Sequence, residues 1–144
     1  MKNINEEVKK SISNLLSEAK DGITVAEGLI NRQLFKDAII QSWSAAEKAL
    51  TSIWIFSGIT KPEATHKESI CIELSDLVEG LPDDEPEIKF VKNLYNNATS
   101  LENIFQKINT KANFSQRDAV NAFENSKAIV LEIEKHLYTK ICGH

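Results

Sequence analysis

The segment from Leu34 to Ser57 constrains the fold more than any other part of the chain, because it reads as a helix that is apolar on most of its sides. Ala38, Ser42, Ala45, Ala49, Ile53 and Phe56 form one stripe of mainly small residues, and Ile39, Trp43, Leu50 and Trp54 form another of large ones. A helix apolar nearly all round must be surrounded by other elements. The small stripe allows close backbone approach on one side, and the large stripe fills a thicker layer on the other. Gly58 follows, where a left-handed C-terminal cap favours glycine.

The remaining segments supply helices to surround it. From about Asn5 to Arg32, the residues Val8, Ile12, Leu15, Leu16, Ala19, Ile23, Ala26 and Ile30 recur at helical spacing, with Lys9, Lys10, Glu18, Lys20 and Glu27 mostly opposite. Gly22 and Gly28 weaken this helix locally, and a bend is expected near Gly22. After a loop through Pro62, Thr65 and Glu68 form a capping-box pattern that starts a short helix to about Glu79, with Ile70, Leu74 and Leu77 inward. An acidic connector, Leu81 to Pro86, leads to a fourth helix over about Glu87 to Ile108. A kink or break is expected within it at Asn96-Asn97-Ala98-Thr99-Ser100, where helix propensity is poor. Ser115 and Asp118 cap the last helix, about Gln116 to Thr139, whose inward residues are Ala119, Ala122, Phe123, Val130, Ile133 and Leu137, with Ile141 just beyond. The sum is an all-α, antiparallel, up-and-down bundle of four long helices and one short, in a single domain over residues 1–144.

Composition agrees and narrows the function classes. The apolar content of 42% supports a real core, and only 5 Gly and 3 Pro in 144 residues leave few turns. The net charge of −4 argues against broad, sequence-independent nucleic-acid affinity, which depends on clustered Lys and Arg. Lys107, Lys111 and Arg117 form a basic corner of the solvated kind. The polar, acidic N-terminus is unlike a secretory signal, and no apolar run reaches membrane-span length. A cytoplasmic protein with free thiols at Cys71 and Cys142 is expected.

Ala45-Ala46-Glu47-Lys48-Ala49-Leu50, followed by Gly58 and then by Thr65-His66, resembles the signature of the HEPN domain family. Those are small helical proteins of bacteria and archaea associated with RNA cleavage and nucleotidyltransferase partners. The stretch from Ala19 to Ile30 and the Phe35-Lys36-Asp37-Ala38 segment are similar to the family's pattern as well. The resemblance implies a helical bundle, homodimerisation through bundle helices, and a nucleotidyltransferase partner of the kind found in toxin–antitoxin-like systems. Active ribonucleases of the family carry an Arg, about four to six intervening residues, and then a His that serves as general acid or base. Here the arginines are Arg32 and Arg117 and the histidines His66, His136 and His144, and none pairs at that spacing. The region corresponding to an Arg-Tyr-Pro-like sequence of non-nuclease members, Tyr95 to Ser100, keeps a Tyr but no Arg. A non-catalytic interaction or regulatory module is therefore expected.

Ligand chemistry concentrates between Lys61 and Lys67. His66 beside Thr65 at a helix start, with Lys61 and Lys67 near in sequence, is placed to bind a phosphate through backbone N–H groups and the helix dipole. The competing role is local: Thr65 caps the helix and His66 satisfies a hydrogen bond. A nucleotide or RNA ligand is the corresponding expectation, and a divergent ribonuclease would need His66 or His136 to meet a cation across a dimer. Ala45, Ala46, Ala49, Leu50 and Gly58 read as structural, while Glu47 and Lys48 must reach an edge or pair with another helix. A di-metal carboxylate bundle needs Glu-x-x-His from two helices. Glu63-Ala64-Thr65-His66 is a lone copy, so no metal or cofactor is expected.

Overall fold

The computed structural model describes residues 6–58, 69–81, 86–110 and 113–141. Among them are six helices and no strand: α1 (Glu6–Asn31), α2 (Phe35–Ser57), α3 (Ile70–Gly80), α4 (Glu87–Asn93), α5 (Tyr95–Phe105) and α6 (Gln116–Ile141). None of the described helices is long and apolar enough to cross a membrane.

Helix α2 packs against α1, α6 and α5, as its two apolar stripes require. Both stripes are buried in full: Ala38, Ser42, Ala45, Ala49, Ile53 and Phe56 on one, Ile39, Trp43, Leu50 and Trp54 on the other. Ser42 satisfies its buried hydroxyl by donating to the Ala38 carbonyl at 2.8 Å. Ser126 of α6 donates to the Ser42 carbonyl at 2.5 Å, a buried polar tie between α2 and α6. One hydrophobic cluster draws side chains from all six helices. Gly58 ends α2 in the left-handed region at φ 72°, with its N–H on the Ile55 carbonyl at 3.2 Å.

Helix α1 runs unbroken through Gly22. Gly22 is needed for proximity. A Cβ placed there would lie 3.2 Å from the Cβ of Ala45, so glycine and alanine together let α1 and α2 approach closely. Gly28, on the same helix, has nothing within 4 Å of such a Cβ.

The helix expected over Glu87 to Ile108 is two helices, which makes six rather than five among the described residues. The interruption falls at Leu94, not at the Asn96–Ser100 stretch. Leu94 closes a tighter turn onto Val91 at 3.1 Å, while its side chain is buried in the core. The buried leucine sets where the chain turns, and the poor helix formers after it are carried inside α5 (Asn96 exposed, Ala98 buried). After Phe105 the chain continues in tight turns, with Ile108 N–H on the Phe105 carbonyl at 3.0 Å. The cap of α6 forms reciprocally: Asp118 N–H donates to Ser115 Oγ and Ser115 N–H to Asp118 Oδ2, both at 3.1 Å. Phe114 and Ala119 are both buried beside it.

The two glycines of α1 make opposite predictions. Gly28→Ala should raise stability by about 0.5–1 kcal/mol, the helix-propensity difference acting alone. Gly22→Val should lower it by about 1–3 kcal/mol, because the added atoms force α1 away from Ala45. Urea unfolding followed by circular dichroism reads both, and equal effects at the two sites would refute the close-approach role of Gly22.

Candidate functional site

Lys61, Thr65, His66 and Lys67 lie outside the described residues, as do Cys142 and His144. The described chain re-enters this neighbourhood at Ser69, and the local geometry revises the expected start of α3. Its N-cap is Ser69, in extended backbone, whose hydroxyl accepts the Ile72 N–H at 3.1 Å. Ser69 immediately precedes Ile70, the first buried apolar residue of the helix, so the cap and the apolar face begin together. Thr65 and Glu68, the expected capping box, belong to the undescribed segment.

The N-terminus of α3 is occupied from within the molecule. Glu102, on α5, accepts the Cys71 N–H through Oε1 at 3.2 Å and the Ser69 hydroxyl through Oε2 at 3.2 Å. A carboxylate here complements the positive end of the helix dipole. It also takes up donors that an exogenous anion would use at a helix start. Two further polar contacts join the same pair of helices: Cys71 Sγ lies 3.6 Å from Thr99 Oγ1, and Ser75 shares a short hydrogen bond with the Tyr95 hydroxyl. Burial, and secondarily the Glu102 charge, push the Cys71 thiol up, with the Thr99 bond opposing them. A thiol held protonated in this way is a poor nucleophile. The sequence does not single out Glu102, and nothing in it sets the Tyr95 hydroxyl against Ser75. Their mark is a position on the α5 face turned toward α3, which only the fold reveals.

The signature residues divide by burial. Ala45, Ala46, Ala49 and Leu50 are in the core, whereas Glu47 and Lys48 are half-buried at its edge. Lys48 Nζ reaches Glu18 Oε1 on α1 at 3.7 Å, and Thr51 donates to the Glu47 carbonyl at 3.0 Å. Trp43 stacks on Phe105 of α5 with ring centroids 4.1 Å apart and planes 4° from parallel. Trp54 is buried as well. Both tryptophans are packing elements, as their common helical face suggests.

His136 is the histidine that falls among the described residues. Its ring stacks on Phe90 of α4, centroids 4.0 Å apart and planes 6° from parallel. Burial, and then the Lys140 charge one turn on, hold the imidazole below its ordinary value. The arginines do not approach it within the chain. Arg117 lies nineteen residues earlier on the same helix, a separation of roughly 28 Å along the axis at the usual rise per residue. On α1, the residue level with this part of α6 is Lys20, whose Nζ meets Glu134 Oε2 at 2.9 Å. Arg32 is twelve residues beyond Lys20, which on the same rise places it roughly 18 Å further along. Among the described residues, no cluster of three or more His, Cys, Asp or Glu side chains is disposed to hold a metal ion.

No family model matches the chain. No curated protein matches it. Among solved structures, it is similar to TT1696 from Thermus thermophilus, known from a crystal structure, with a TM-score of 0.65 at 21% identity over 86% of this chain and 96% of that one. At that identity the similarity speaks to the fold alone.

Two measurements check this geometry. Glu102→Ala should cost about 1–3 kcal/mol, since it leaves the Cys71 N–H and the cap hydroxyl without their charged acceptor; an unchanged urea midpoint would show that the α3–α5 clasp contributes nothing. For His136, the folded value lies below the unfolded value of about 6.5, so the unfolded chain binds the proton more readily. The stability this provides is present above about pH 6.5 and is lost as pH falls through the window below it. Urea midpoints measured from pH 7.5 down to 5 should therefore decline, and His136→Gln should decline less steeply. Equal slopes in the two proteins would contradict the assignment.

Proposed function

We propose that this chain is a HEPN-type antiparallel, up-and-down helical bundle acting as a non-catalytic interaction and regulatory module. In this reading it works as a homodimer, paired with a nucleotidyltransferase in a toxin–antitoxin-like system. The antiparallel arrangement is supported by the order of contacts between α1 and α2: Glu18 lies by Lys48, and Gly22 by Ala45. The observation that carries the non-catalytic reading is the distribution of the family-like residues. Ala45, Ala46, Ala49 and Leu50 are committed to the core, and His136 is stacked on Phe90, with Arg117 near the other end of α6 and Arg32 past the end of α1. The RNA cleavage that the resemblance implies uses a histidine as general acid or base and an arginine as permanent cation around one phosphate. Lys61, Thr65, His66 and Lys67 are the residues assigned to a nucleotide or RNA ligand, secondary to the protein partner.

The test is a native pull-down from source cells combined with light scattering of the purified chain. A dimer at micromolar concentration and a stoichiometric nucleotidyltransferase are the expected results. A strict monomer that captures no such partner, or cleavage of RNA by the wild type that is lost in His136→Ala with folding intact, would overturn the reading.

A further inference from the structure

We draw no further inference here: the strongest candidate, the outer face of α6 on which the exposed side chains of Leu131 and Tyr138 stand seven residues apart beside the Lys20–Glu134 ion pair, is an unpartnered face with nothing in the structure to show what covers it.

Discussion

The close approach of α1 and α2 is the constraint on which the rest of the packing depends. It rests on Gly22 facing Ala45, where a Cβ on residue 22 would already crowd the alanine at 3.2 Å. Placing α1 this near lets α2 turn its small residues toward short-range neighbours. Buried hydroxyls on that helix are then settled locally, as with Ser42 on Ala38 and Ser52 on the Ala49 carbonyl. The Ser126–Ser42 bond carries the same economy across to α6: a small side chain bridges two backbones where a larger one would hold them apart. The polar atoms inside this layer are tolerated because each of these hydroxyls has a carbonyl at hydrogen-bond distance.

The other side of α2 is built on different terms. Trp43 is too large for a close interface, so α5 is held off there by its ring stacked on Phe105 rather than by interdigitated small residues. The short helix α3 packs against α5 and α4. Its apolar residues Ile70, Leu74 and Leu77 are buried, and the polar contacts through Glu102, Thr99 and Tyr95 fix its direction. Apolar burial is non-directional, whereas the paired hydrogen bonds of one carboxylate to a cap hydroxyl and an adjacent N–H specify where the helix begins. The Glu102 clasp therefore adds a directional constraint to the Ser69 cap at the start of α3.

That distinction also explains what is legible in the sequence. Helix positions in α1, α2 and α6 follow from apolar spacing over many turns, and the caps at Gly58 and Ser115 follow from local chemistry, so both kinds of feature can be read from the chain. The division at Leu94 cannot, because Asn96 and Asn97 are the weaker helix formers and Leu94 is an ordinary one. What decides the matter is the burial of Leu94, a tertiary property. The choice between Thr65 and Ser69 as the start of α3 is similar, since both residues are good caps and the carboxylate that meets Ser69 lies on another helix. Gly22 is legible as unusual but not in its role: a glycine within a helix looks the same in sequence whether it relieves strain or makes room. The candidate ligand residues Lys61, Thr65, His66 and Lys67 all fall before Ser69, where the described chain resumes.

A signature made of core residues has limited power to identify an activity. Ala45, Ala46, Ala49 and Leu50 would be retained by any protein needing α2 at the centre of such a packing, whatever chemistry its surface performs. The more discriminating property is where the ionisable groups stand. Arg117 is displaced along α6, and Arg32 lies past the end of α1, from the level of Lys20 and Glu134, while His136 is close to that level. A single copy of the chain therefore does not bring a described histidine and an arginine to one phosphate. Any chemistry of that kind between His136 and an arginine would have to be completed by a second molecule, so the catalytic question about His136 is inseparable from the oligomeric one.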